Sequence, residues 1–170
     1  KEVVFIDTAV ANYQSLVNEV PQGVEVVLLD SSKDGLSQIK AWAETHKDYD
    51  AIHIVSHGSE GQIYLGGLTL NTAAISSRLS DLNAIGAALK DSGDILLYGC
   101  SVASGEGERF INALATATGA DVAASDDLTG SAALGGDWTL EKQAGSESVD
   151  VDALSFSHYD QLLTVVSFDS

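Results

Sequence analysis

Apolar residues recur along this chain in two rhythms. Short β-branched runs predict strands at 3–7, 24–30, 50–58, 94–100 and 120–125. Between them, apolar positions recur every three or four residues and predict helices. The first covers 8–20, with Val10, Tyr13, Leu16 and Val17 on one face. The next follows the capping run Ser31-Ser32-Lys33-Asp34 and carries Leu36, Ile39, Trp42 and Ala43. A third covers 71–89 through Ile75, Leu79, Leu82 and Ile85, and Gly93 breaks the chain before the next strand. A fourth covers 105–118 around Phe110, Ile111 and Leu114, with Gly119 as its C-cap. Residues 62–70 alternate about Gly66-Gly67 and predict a small hairpin. Gly135-Gly136 precedes a sixth strand at 137–141, and 155–163 closes the domain as a helix or strand. Strands alternating with helices define an α/β fold. The expected form is a three-layer sandwich, a mostly parallel sheet of about six strands with helices on both faces.

Length and composition narrow this picture. A chain of 170 residues fits one domain and buries roughly 70% of its extended surface. With 45% hydrophobic residues and one proline, it is expected to be ordered over most of its length. No run approaches the roughly 20 apolar residues of a membrane span. Lys1 leads straight into the first strand with no signal peptide, as expected of a domain cut from a larger protein. The net charge of -17 opposes nucleic acid and acidic membranes as partners. Such acidity suits a secreted or high-salt setting, or a place among calcium-rich modules, and it also serves solubility alone. A single cysteine excludes an internal disulfide, a cysteine-rich zinc site and a Cys-x-x-Cys redox pair.

The candidate chemistry lies at strand ends. In an open α/β sheet, sites form beyond the carboxyl ends of the strands. Asp7, Asp30, His57, Cys100, Asp126 and Asp127 all fall there. Ile52-His53-Ile54-Val55-Ser56-His57-Gly58 and Leu96-Leu97-Tyr98-Gly99-Cys100 are apolar strands ending on an imidazole and a thiol. If they are neighbours, His57 and Cys100 form a dyad. An ordinary thiol with a pKa of about 8.5 needs an imidazole or a helix N-terminus to become a nucleophile near neutral pH. The helix after Ser104 offers such an end. The amides of Gly58 and Cys100 could hold an oxyanion, with Gly58 letting the backbone approach a substrate. Asp126, Asp127 and Asp7 could contact a substrate at the same edge. A strand-end histidine alone is more often structural; the matching cysteine reverses that preference. His53 reads as a satisfied core histidine, and His46 and His158 carry weak signals. Ser101 with Asp126 or Asp127 and then His158 follows the chain order of α/β-hydrolases, but Ala103 replaces the last glycine of the nucleophile elbow. Gly105-Glu106-Gly107 lacks the Gly-Lys-Ser/Thr of a phosphate loop. Asp150-Val151-Asp152 could touch calcium but lacks the rest of a calcium loop.

The His-Gly and Gly-Cys strand ends resemble the caspase-like (clan CD) cysteine peptidases, which include caspases, gingipains, legumain, separase and self-processing toxin domains. Asp34-Gly35-Leu36, the two strands above, Thr118-Gly119-Ala120-Asp121-Val122-Ala123 and Gly135-Gly136-Asp137-Trp138-Thr139-Leu140-Glu141 resemble the DUF4347 domain of very large bacterial surface or secreted proteins, over roughly 3–163. The resemblance implies a caspase-like fold over 1–164 with a tail at 165–170. It implies Cys100 as nucleophile and His57 as acid or base, in an endopeptidase that can act on its own parent chain. In some clan members an acidic residue two positions before the cysteine selects a basic substrate; Tyr98 stands there and becomes a candidate substrate contact. Calcium is the one cofactor suggested, and a non-catalytic adhesin or scaffold module is the alternative role.

Overall fold

The computed structural model describes residues 1–164; the expected tail at 165–170 lies outside the described residues. The central sheet has six strands: β1 (Glu2–Asp7), β2 (Val24–Leu29), β3 (Tyr49–Val55), β7 (Leu89–Tyr98), β8 (Asp121–Ala124) and β9 (Lys142–Ala144). Their spatial order is β2-β1-β3-β7-β8-β9. The first five run parallel, and β9 joins β8 antiparallel. A second sheet of three strands holds β4 (His57–Ser59), β5 (Gln62–Leu65) and β6 (Leu68–Asn71) in antiparallel order.

Strand periodicity divides the core in two. Val3, Phe5, Ile52, Ile54, Ile95, Leu97 and Val122 belong to one apolar cluster. Their alternates Val4, Ile6, Ala51, Val55, Leu96, Tyr98 and Ala123 belong to the other. Successive strand side chains point to opposite faces, so the two clusters are the two sides of the sheet. The first side is covered by α2 (Gly35–Ala43), α3 (Thr72–Ser77), α4 (Leu79–Gly86) and α5 (Gly107–Thr118). Asp34 caps α2 by accepting the Ser37 amide at 2.9 Å. Gly119 ends α5 at φ 76°, its N–H donating to the Ala115 carbonyl. The second side is covered differently. One short helix, α1 (Tyr13–Glu19), contributes Leu16; irregular chain contributes Leu154, Phe156, Tyr159 and Leu163.

The three-layer α/β architecture matches the sequence expectation, with differences in its parts. The helix expected at 8–20 starts only at Tyr13, after turns at 8–12 and Asn12 at φ 55°. The helix expected at 71–89 is two helices, broken where Arg78 takes φ −123°. The Arg78 guanidinium bonds Asp34 at 2.9 Å and Asp81 at 2.7 Å, tying this joint to the cap of α2. Gly93 lies inside β7, not before it. The sixth strand is Lys142–Ala144 rather than 137–141. Asp137 makes only an isolated parallel bridge to Thr129, while its carboxylate accepts the Thr139 amide at 3.0 Å and turns the chain just beyond. The stretch 155–163 forms neither helix nor regular strand; it makes turns and then pairs with residues 129–131.

Candidate functional site at the strand ends

Strands β3 and β7 are neighbours, in register to Val55 opposite Tyr98. The ladder continues one step, with the Ser56 N–H donating to the Tyr98 carbonyl at 3.1 Å. His57 and Cys100 are each two residues further, so the imidazole and thiol do close adjacent parallel strands. Two glycines permit the close approach. A Cβ on Gly58 would lie 2.6 Å from the Val102 side chain and 3.2 Å from the Cys100 carbonyl oxygen. A Cβ on Gly99 would lie 3.1 Å from the Ser56 carbonyl oxygen.

The His57 ring has one hydrogen-bond partner among the described residues. Its Nε2 lies 3.4 Å from the Ala9 carbonyl oxygen. A carbonyl only accepts, so Nε2 donates in this contact. Nδ1 is buried and has no hydrogen-bond partner among the described residues. Asp7 fixes the loop that supplies Ala9. Its carboxylate accepts the Ala9 amide at 2.8 Å and the Gly66 amide at 2.6 Å. At 1% exposure with both oxygens engaged, Asp7 is a clamp behind His57 rather than the expected substrate contact.

Cys100 is 1% exposed. Its thiol donates to the Thr129 carbonyl at 3.4 Å, and the Thr129 amide donates to the sulfur at 3.2 Å. Burial pushes the thiol pKa up, the Asp127 charge adds to the rise, and the amides of Thr129 and Leu163 oppose it. The N–H groups of Gly58 and Cys100 converge on one acceptor: both donate to the Leu163 carbonyl oxygen, each at 3.0 Å. The Leu163 N–H donates to the Thr129 carbonyl at 2.9 Å, and the Ser131 N–H donates to the Gln161 carbonyl at 2.9 Å. The chain itself therefore covers the thiol. A groove of about 480 Å³ on the same side of the sheet, lined by Leu96, Trp138, Leu140 and Leu154 among others, includes neither His57 nor Cys100.

The remaining candidates separate clearly. Tyr98 is fully buried, and its hydroxyl bonds His53 Nδ1 at 2.8 Å and accepts the Leu154 amide at 2.9 Å. It anchors the core instead of meeting a substrate. His53 Nε2 reaches Glu2 at 2.6 Å, and burial holds the His53 pKa down, so this buried histidine is neutral despite its carboxylate neighbour. The serine arrangement is not assembled. Ser101 adopts φ 58°, as a strained elbow would, but the His158 ring is 84% exposed and pairs with Glu19 at 3.3 Å. His46 stacks on Trp42. Asp30 is exposed and accepts from Ser32 at 2.9 Å in a local turn. Asp127 gives its carbonyl to the Ser101 amide at 2.8 Å, which ties its loop to the residue after Cys100.

Asp126, Asp127 and Glu141 bring one carboxylate oxygen each within 4.8 Å of one another, a set that could hold a hard cation. Three oxygens are fewer than the 6 to 8 that calcium takes. Glu141 was not expected from the sequence, nor were Ala9, Thr129 and Leu163. The last three act through backbone groups, which any residue supplies.

The fold and its strand-end pair define a three-layer α/β domain with imidazole and thiol on adjacent parallel strands. The chain belongs to the family described as "Domain of unknown function (DUF4347)", which matches residues 3–163. Among curated proteins, none matches the chain. A solved structure titled "Crystal structure of a small-chain dehydrogenase" is similar at 12% identity and a TM-score of 0.36, over 68% of this chain and 76% of its own, too slight to carry an argument. Among the described residues, no helix is long and apolar enough to cross a membrane.

Proposed function

We propose that the chain is a cysteine endopeptidase of the caspase-like kind, with Cys100 as nucleophile and His57 as proton carrier. The observation that carries the reading is the convergence of the Gly58 and Cys100 amides on a single peptide carbonyl oxygen, 3.0 Å from each. Two backbone donors at that distance are what an acyl-transfer centre needs for its oxyanion, and one such donor is worth roughly 10²–10³ in rate. The His57 ring supports it, since Nε2 faces the Ala9 carbonyl and leaves Nδ1 without a partner, the nitrogen that would take the thiol proton and pass it to a leaving amine. The net charge of -17, and the chain's resemblance to a domain of very large bacterial surface or secreted proteins, favour a secreted or cell-surface setting within a bacterial adhesin. The substrate class is a peptide or protein.

The test is an irreversible thiol-directed peptidyl probe. We expect it to label Cys100 in the native chain faster than in the urea-unfolded chain, and to lose that advantage in His57→Ala. Equal or slower labelling of the native chain would sink the reading.

One observation favours a second reading, a non-catalytic adhesin or scaffold module that keeps the fold: Cys100 is 1% exposed and its pKa is raised. A native thiol that never reacts, in a chain that still binds surface partners, would support that role.

A further inference from the structure

We infer that the bond this centre cleaves is the chain's own Leu163–Thr164 peptide, an inference that rests on the peptidase reading above. Residues 161–163 lie across the strand ends, bending at Gln161 and Leu163 with an isolated bridge at Leu162 between them. They pair antiparallel with residues 129–131 through Leu163 N–H to Thr129 O and Ser131 N–H to Gln161 O, both at 2.9 Å. This is the backbone mode by which an edge captures a peptide. It sets the register, and in that register the carbonyl placed between the two amide donors belongs to Leu163.

The surroundings fit a bound segment residue by residue. Leu163 is fully buried, in the apolar cluster that contains Val10, Tyr98, Cys100, Phe156 and Tyr159. That is a pocket for a branched aliphatic side chain on the amino side of the cut. Leu162 is half-buried, and Gln161 is exposed. Gly130 makes room beneath them: a Cβ there would lie 2.4 Å from the Gln161 carbonyl oxygen and 2.9 Å from the Leu162 Cα. Past the centre the chain continues, with Thr164 bridging to Gly58. The bond after Leu163 is thus spanned on both sides by held backbone.

The reaction follows from this placement. On turning away from the Thr129 carbonyl, the Cys100 thiol gives its proton to the unpartnered His57 Nδ1, directly or through one water, and the thiolate forms a bond to the Leu163 carbonyl carbon. The negative oxygen stays between the Gly58 and Cys100 amides. The carbon–nitrogen bond to Thr164 breaks as His57 returns the proton to that nitrogen, releasing a new amino terminus. Water then attacks the Leu163 thioester, with His57 accepting its proton. The Leu163 carboxylate leaves and the sulfur recovers a proton. One water is consumed and no oxidant or metal is required. The specificity is an aliphatic residue, leucine, at the cut, not a charged one.

The experiment is intact mass measurement of the 170-residue chain during incubation at several protein concentrations. We expect a species ending at Leu163, together with the released 164–170 peptide, formed at a rate independent of concentration. Cys100→Ala and Cys100→Ser should stay intact with unchanged circular dichroism, and Leu163→Lys should slow cleavage at least tenfold. A Cys100-dependent cut at another bond overturns the inference and leaves the peptidase reading standing. So does an intact chain whose Cys100 still reacts with the peptidyl probe. The same cut in Cys100→Ala also overturns it, assigning the cleavage to another enzyme. An intact chain with an inert thiol removes both.

Discussion

The two sides of the central sheet are closed by different means. On one side, four helices bury Leu36, Ile39, Ile75, Leu82, Ile85, Phe110 and Leu114 against strand residues, and the small sheet adds Ile63 and Leu65. On the other, one short helix shares the work with irregular chain that ends at Leu163. The helical side is apolar beneath its helices, with ion pairs such as Arg78–Asp34 at its rim. The irregular side holds the thiol. A regular helix has its backbone groups satisfied within itself, whereas irregular chain must place its N–H and C=O groups elsewhere. Here Leu163 places its carbonyl on the Gly58 and Cys100 amides. The side closed by irregular chain is therefore the one that can present backbone to a reactive group.

The largest effect should separate two histidines four residues apart. His57→Ala should reduce Cys100-dependent cleavage roughly 10²–10⁴-fold, the range for losing a positioned acid or base. Its stability, followed by urea denaturation, should change by less than about 1 kcal/mol, because the ring is half-buried and makes one long hydrogen bond. Next in size is the helical side. Phe110→Ala, at a fully buried position, should cost about 3–5 kcal/mol in the same denaturation while leaving the cleavage site unchanged at permissive temperature. His53→Ala should behave like Phe110→Ala rather than His57→Ala. It would leave the buried Tyr98 hydroxyl without its histidine partner and cost about 2–4 kcal/mol. If His53→Ala instead removed cleavage at full stability, the division between structural and reactive histidine would fail.

A smaller effect concerns how the irregular chain is anchored. Asp94 accepts the Asp150 and Val151 amides on one oxygen, while its other oxygen has no partner among the described residues. Burial first, then the neighbouring Asp150, pushes its pKa up to about 6. The folded chain therefore keeps a proton that the unfolded chain, with an ordinary carboxylate near 4, has released. Stability from this group is present below about pH 4 and is lost as pH rises through about 6. Asp94→Asn should remove that decline and raise stability at pH 7 by about 2 kcal/mol, read from denaturation midpoints across pH. The smallest effect is electrostatic. Asp127→Asn removes a charge that raises the Cys100 pKa, so thiol labelling at pH 7 should quicken at low salt and less at high salt.

The legible part of the fold was what hydrophobic period controls. The strand Glu2–Asp7, the apolar half of Leu89–Tyr98 and the helix around Phe110 follow from periods of two and of three to four. Positions where a side chain overrides the period were not legible. Arg78 splits one helix by reaching Asp34, and the expected strand at 137–141 is reduced to a single bridge at Asp137, whose carboxylate turns the chain at Thr139. The site divides the same way. His57, Gly58 and Cys100 were readable because the residue types and their strand-end positions carry the chemistry. Asp7 was found at the right edge but in a different role, since its two amide contacts arise from loops that meet only in the fold. Leu163 left no signal, because its contribution is a carbonyl.

The central claim is that Cys100 acts on the peptide carbonyl lying between the two amides. Incubation in water enriched in heavy oxygen tests it most directly, by mass analysis of the new carboxyl terminus. The expected product is a chain ending at Leu163 with heavy oxygen in its terminal carboxylate, formed by the parent chain and not by Cys100→Ala. A terminus elsewhere, an unlabelled Leu163 carboxylate, or the same product from Cys100→Ala would contradict it.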